Sequence, residues 1–423
     1  MVADVDVVVI GAGAAGLGAA TALREAGRKA VVLEASARIG GRALTTYPAE
    51  LGGVWWDVGA VWLHNAETNP LVPIARAAGD TLLRSNELRV ERTFVGTREA
   101  TAEEYADYAG AWQRFEDRAA DLLRTRDDMP LAEVARSMPD DRWAVTVETW
   151  EGPIICVADA EEFSARDWLR NVLSGSNLVP AGGIGAFVAR RLGDGLDIRL
   201  STPMTRIAWD GGGVAAETSR GTISARSAIV TVSTGVLGAG TIVFDPPLPD
   251  AAQAAIHAMP MGLALKVALR ATGPDRLDLP LHCSVDRQVQ RSGDPTMGFQ
   301  CWPYKRDYVQ GWVGGPVAWE LARAGEAAAV DFALGQLRSL FGGRVDRLFG
   351  GGTHVVTRWD ADPFVLGAYS FVRPGDADAR MALAQPLADG HLLFAGEACH
   401  NGMTGTLAGA WISGQDAARI VPR

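Results

Sequence analysis

The chain has 423 residues, with 40 basic and 50 acidic side chains, a net charge of −10, and 48% hydrophobic and 21% charged residues. Such a length implies two domains or one large discontinuous one, and such a balance excludes the basic face that nucleic acid requires. Four cysteines without CxxC spacing (Cys156, Cys283, Cys301, Cys399) exclude a disulfide framework or structural zinc and predict no metal. With no secretory apolar region before Val7 and no run of membrane-spanning length, the expected place is the cytoplasm, with no membrane partner.

The first element predicted is a buried strand, Val5 to Ile10. Gly11-Ala-Gly13-Ala-Ala15-Gly16 follows, then a helix over 14–26 that Gly27 ends, then a strand over 30–33 with Glu34 at its end. Gly11 permits the tight turn, Gly13 lets backbone approach a pyrophosphate, and Gly16 lets helix and strand pack closely. The helix N-terminus, with Ala15 in its first turn, offers free N–H groups to phosphates. Glu34 is placed to accept from ribose hydroxyls. Arg38-Ile-Gly-Gly-Arg42 then resembles the second fingerprint of the glutathione-reductase-like flavoproteins. That likeness implies FAD, with Arg42 offering a guanidinium to the phosphates or the flavin edge. No second GxGxxG opens a βαβ unit, so dioxygen rather than a nicotinamide is the expected electron partner.

Val58-Gly59-Ala60-Val61-Trp62-Leu63-His64, with Asn69-Pro70 after it, resembles a motif of the flavin amine oxidase family. This family includes the monoamine oxidases, the polyamine oxidases and the lysine-specific histone demethylases. The resemblance implies that Gly59 and Ala60 lie against the flavin ring, with Val61 and Trp62 beside them. His64 matches a substrate-site histidine of polyamine oxidases, or is a buried histidine satisfied by the fold. Amino-acid oxidases have an arginine just after the Gly-Ala pair, and here Val61 and Trp62 stand there.

Residues 81–180 read as helical and irregular. Their acids Glu151, Glu161 and Glu162 are candidates to hold a distal ammonium, or are surface carboxylates. A helix is predicted over 184–192, and strands joined by Gly-rich hairpins over 202–237. By position in the family, Met204 would meet the adenine through its backbone. Lys266 interrupts the apolar run 263–269. It is either an edge-strand lysine facing water or, by resemblance, the lysine that holds a water near flavin N5.

Arg358-Trp359, Gly367-Ala368-Tyr369 and Gly396-Glu397 through Thr406-Leu407 match the family's remaining motifs in order. The likeness places Trp359 beside the flavin and Tyr369 at one wall of the amine site. Gly396 and Glu397 would meet the pyrophosphate and ribitol. Thr406 and Leu407 would aim a helix N-terminus at the flavin O2. Monoamine oxidases have a cysteine at Ala368 and a tyrosine at Thr406, so non-covalent FAD and the polyamine oxidase branch are favoured.

The expected fold is α/β. A Rossmann-like FAD domain is assembled from 1–80, 200–265 and 385–423, and a substrate domain of mixed sheet and helices from 81–199 and 266–384. The resemblance implies hydride transfer from an amine α-carbon to flavin N5, giving an imine, then an aldehyde, and hydrogen peroxide from O2. Polyamine-type substrates are favoured over monoamines, cyclic amines and amino acids, and a flavin desaturase or a non-oxidase flavoprotein is the reading from another class. Lys266, Tyr369, Trp359, His64 and Thr406 form the expected catalytic set. The partners are a small amine and O2, in a monomer or homodimer.

Overall fold

The structure, a computed structural model, describes residues 3–209 and 212–422. Val5–Ile10 is apolar on both faces, so it sits inside a sheet, parallel to Ala30–Leu33 on one side and Gly221–Val230 on the other. The full order across this eight-stranded sheet is 243–245, 204–209, 214–218, 221–230, 5–10, 30–33 and 198–199, with 392–394 also pairing 221–230. Gly221–Val230 runs antiparallel to Val214–Thr218 along its first half and parallel to Leu392–Phe394 along its second.

The turn from Ile10 into the helix Ala14–Glu25 depends on glycine at two points. Gly11 has φ +102°, and a Cβ on Gly16 would stand 1.8 Å from the Gly11 carbonyl oxygen. The same helix lies against Leu407–Ile420 through another close approach. A Cβ on Gly18 would stand 2.5 Å from Trp411 O, and one on Gly414 1.9 Å from Ala15 O.

A second sheet of seven strands runs 354–356, 264–270, 308–314, 298–301, 283–287, 90–95 and 98–99. Helices Gly315–Ala324, Glu326–Phe341 and Arg344–Phe349 share one apolar core with it. A helical lobe over 102–170 has its own core around Tyr108, Phe115, Trp143 and Trp168. Met261–Gly262 pairs with Tyr369–Ser370 in a small separate ladder.

Two features depart from the sequence expectations, and a third excludes one of two alternatives. Ile198–Arg199 lies in the 81–199 segment assigned to the substrate domain, yet it pairs with Ala30–Leu33 in the first sheet. The helix before it, Ile184–Arg191, buries Ile184, Phe187 and Val188 in the core under that sheet. Val90–Val95, inside the stretch that reads as helical and irregular, is a strand paired with Cys283–Arg287. Lys266 is not on an edge strand, because Ala264–Arg270 is flanked by Tyr308–Gly314 and His354–Val356.

Gly414→Ala should therefore push the two helices apart and cost about 1–3 kcal/mol, read as a lower thermal midpoint. Gly335→Ala, at an exposed position of its helix where an added Cβ meets nothing within 4 Å, should raise the midpoint slightly.

Candidate active site

One cavity of about 1120 Å³ is walled by residues of both sheets and of the helical lobe. At one end lie Gly11, Gly13, Ala15, Glu34, Arg42 and Met204. A Cβ on Gly13 would meet no protein atom within 4 Å, so open space stands where a phosphate would approach. Glu34 is buried, and its Oε2 accepts from Ala12 N at 2.6 Å while Oε1 accepts from Ser36 N at 2.8 Å. Met204 is buried at the start of its strand, beside a register shift between Met204 and Arg206.

Thr406 caps the helix Leu407–Ile420. Its Oγ accepts from Gly409 N at 3.0 Å and donates to Met403 O at 2.7 Å. The hydroxyl is thus fully used by the fold, and what the position presents is the helix N-terminus, whose first N–H groups have no intrahelical acceptor. Thr406 and Leu407 line the same cavity as the N-terminal turn of Ala14–Glu25. Two helix N-termini and an open glycine cradle fit an anionic dinucleotide.

Arg42 lines the cavity, and one of its nitrogens is committed within the protein. Its Nη1 donates to Glu397 Oε1 and to Ala368 O, both at 2.9 Å. Glu397 is 4% exposed and takes its other bonds from Ser370, through N at 3.0 Å and Oγ at 2.9 Å. Although burial works to raise Glu397, Arg42 and Arg380 hold it below the usual carboxylate value. A buried carboxylate claims the nearest guanidinium, which is why Arg42 turns to it. Gly396, at the strand end before it, donates its N–H to Ser413 Oγ at 3.1 Å.

The middle of the cavity holds Gly59, Ala60, Lys266 and Trp359. A Cβ on Gly59 would stand 1.8 Å from Arg42 O and 3.1 Å from the Trp359 ring, so the protein itself forbids bulk there. Trp359 is buried and donates Nε1–H to Val58 O at 3.2 Å. Lys266 is 1% exposed. Its Nζ donates to Asp57 O at 2.8 Å and Gly59 O at 2.5 Å, and stands 5.2 Å from the centre of the Trp312 ring. Burial pulls its pKa down to about 7, against the attraction of the Asp57 carboxylate. Asp57 is itself raised by burial, while Thr45, Lys266 and the N–H of Ile184 oppose that rise.

The far part is aromatic and acidic. Tyr369 donates its hydroxyl to Ile155 O, and its ring covers Gly405. The segment Trp150–Ile155 is a π-helical turn, a feature often found at functional sites. It is tied a second time, by Trp312 Nε1–H to Ile154 O at 2.7 Å. Val61 and Trp62 line the wall, with Trp62 Nε1 donating to Ser85 Oγ at 3.1 Å. His64 Nδ1 lies 2.7 Å from Asn177 Oδ1, which places the proton on Nδ1 and leaves Nε2 an acceptor. Burial lowers its pKa, so the ring is neutral.

Of the three candidate acids, Glu151 lines the cavity, whereas Glu161 pairs with Arg136 at 2.5 Å on the surface and Glu162 is exposed. Burial pushes Glu151 up to about 7. Sequence reasoning missed Asp57, Trp312 and Asp286. Trp312 faces Lys266 across antiparallel strands, and that pairing is visible only once the strand partner is known. Among the described residues no cluster of His, Cys, Asp and Glu suits a metal, and no helix is long and apolar enough to cross a membrane.

Between about pH 7 and 10, the unfolded chain holds a proton on Lys266 that the native chain lacks. Stability should therefore rise with pH over that window, by at most about 1.4 kcal/mol per unit from this group. Urea unfolding at pH 7, 8 and 9 should show a flatter rise in Lys266→Met.

Comparison with known proteins gives a consistent picture. The family model described as flavin containing amine oxidoreductase matches residues 14–422. Polyamine oxidase 4 of Oryza sativa subsp. japonica is 30% identical over 460 residues, spanning 97% of this chain and 87% of that protein. Lysine-specific histone demethylase 2 of Homo sapiens is 26% identical over 98% of this chain, which corresponds to 53% of the demethylase. A solved structure of putrescine oxidase bound to putrescine superposes with a TM-score of 0.79 at 20% identity, covering 98% of each chain.

Proposed function

The chain belongs to the flavin-containing amine oxidoreductase family, and from that premise we propose that it is an FAD-dependent oxidase of linear amines that carry further nitrogens. One observation carries the substrate side of this reading. The cleft that begins at the Gly11–Gly16 turn opens directly onto a pocket walled by Trp62, Trp150, Trp168, Trp312 and Tyr369 and containing Glu151. Aromatic faces and a carboxylate are what a cationic amine needs.

Bound in the cleft, the flavin supplies the acceptor for the hydride that leaves the amine α-carbon. The chain's own residues do the rest by position and by excluding water. Trp359 and the Gly59–Ala60 backbone form a wall of fixed depth. Tyr369, held by Ile155 O, confines the substrate's reacting carbon. The amine must react with a neutral nitrogen, and two groups favour that form. Lys266, where protonated, disfavours a second positive charge nearby. Neutral His64 offers Nε2 as an acceptor for an N–H. The product imine then hydrolyses to an aldehyde. Dioxygen is the final oxidant and hydrogen peroxide its product, with Lys266 stabilising negative charge that develops on oxygen.

The flavin is held without a covalent bond in this proposal. Ala368 offers no sulfur. Cys156, the cysteine that lines the cavity among the described residues, is kept protonated because burial raises its pKa well above the usual thiol value.

Acid precipitation of the yellow protein should leave all flavin in the supernatant. The protein should then yield peroxide with 1,4-diaminobutane, spermidine or spermine. Flavin retained in the pellet would overturn the non-covalent assignment, and absence of peroxide with every amine would overturn the oxidase reading. Tyr369→Ala should lower kcat/KM about 10-fold or more, because the reacting carbon loses a wall.

A further inference from the structure

One short helix of the lobe, Ala165–Arg170, is tied to the Tyr369 wall along two paths. Asp167 pairs with Arg380, whose Nη1 donates to Ser370 Oγ beside Tyr369. Trp168 donates to Glu151 on the π-turn, and the carbonyl of Ile155 on that turn receives the Tyr369 hydroxyl. Asn171, which ends the helix, opens a third path. Its Nδ2 donates back to Asp167, to O at 2.7 Å and to Oδ1 at 3.2 Å. Its Oδ1 accepts from Gly402 N at 2.7 Å and from Thr404 N at 3.4 Å, residues 231 and 233 positions away. Asn171 lines the cavity, yet both ends of its amide are engaged by the protein.

The segment it holds has little else to fix it. Residues 400–406 form no helix or strand and run between the Glu397–Cys399 turn and Leu407–Ile420. The bonds from Thr404 Oγ to Glu397 O at 3.0 Å and from Thr406 Oγ to Met403 O at 2.7 Å are local, whereas Asn171 reaches in from the lobe. Without the Asn171 oxygen, two backbone donors must find water or stay unpaired, and the turn shifts to satisfy them. What shifts lies at the reacting end. Thr404, Gly405 and Thr406 line the cavity, and a Cβ on Gly405 would stand 3.2 Å from the Tyr369 ring.

We propose that Asn171 is a positioning residue for the reaction: its side-chain amide ties the 402–404 turn to the helical lobe and so sets where Gly405 and the Thr406 cap stand against Tyr369. This rests on the amine oxidase reading above and adds to it a residue that acts through the backbone of the closing motif. Asn171→Ala removes both halves of the tie. Asn171→Asp keeps an oxygen for the two N–H groups and loses only the donation to Asp167, at the cost of a second carboxylate beside it.

Two measurements on the flavin-loaded protein test it. Per bound flavin, kcat for 1,4-diaminobutane should fall about 10-fold in Asn171→Ala with KM changed less than about threefold, because the reacting geometry loosens while binding contacts stay. Amide hydrogen exchange over 400–406 should be faster in the same variant, and Asn171→Asp should hold both exchange and kcat within about threefold of wild type. An unchanged kcat, a loss carried wholly by KM, or wild-type exchange in Asn171→Ala overturns the proposal, and so does an Asn171→Asp protein with exchange as fast as an untied turn. A wild-type protein that oxidises no amine overturns the oxidase reading instead, and exchange, which needs no turnover, still decides whether Asn171 holds the turn.

Discussion

A buried chain of charge, Asp167–Arg380–Ser370–Glu397–Arg42, holds the active site together. Arg380 meets Asp167 with two bonds, Nε to Oδ1 at 2.8 Å and Nη2 to Oδ2 at 3.0 Å, and both side chains are almost fully enclosed. Arg380 also donates to Ser370, through Nη1 to Oγ at 3.0 Å and Nη2 to O at 3.3 Å. Ser370 donates to Glu397, which completes the chain to Arg42. Such pairs add little net stability, since desolvation offsets the attraction, but removal of one member leaves a bare buried charge at roughly 3–5 kcal/mol. The arrangement therefore tolerates no half-measures, and its geometry is imposed on everything attached to it.

What is attached is the Tyr369 wall. Ala368 has its carbonyl held by Arg42, and Ser370 has its N, Oγ and O held by Glu397 and Arg380. Tyr369 lies between two residues clamped from opposite sides, so its ring direction is set before any ligand enters. The nucleotide loop, the C-terminal motif and a helix of the lobe thus share one network. A second anchor works in the same manner. Asp57 uses its carboxylate to receive Thr45 Oγ and Ile184 N, and its carbonyl to receive Lys266 Nζ. One residue thereby links the start of Ile184–Arg191 to the lysine at the centre of the cavity.

Local constraints were legible in the sequence. The turn at Gly11–Gly16 is dictated by steric needs within six residues, and the structure repeats them atom for atom, down to Gly11 O beneath Gly16. Partnerships between distant residues were not legible. Nothing near Arg380 or Asp167 in the sequence says that each is buried beside the other. The sequence around Arg42 shows the phosphate-binding glycines beside it but not the carboxylate it pairs with, which lies 355 residues away. Lys266 left two alternatives open, and only strand order excludes the edge-strand one, by placing a partner strand on each side. Val90–Val95 reads as irregular because its charged residues follow no helical or alternating period, and its partner supplies the order.

The placement of unpaired charge follows from the same economy. In the core the fold pairs its ions, Arg380 with Asp167 and Arg42 with Glu397. The charged groups of the cavity are not all so paired: besides Asp286, bonded to two hydroxyls, they include a lysine bonded to carbonyls and a glutamate bonded to an indole. Trp312 connects the last two, its ring toward Lys266 and its N–H toward the segment that carries Glu151. Burial draws Lys266 toward neutrality while its Nζ stays bonded to the Asp57 and Gly59 carbonyls, so this part of the cavity keeps a lysine without a carboxylate bonded to it.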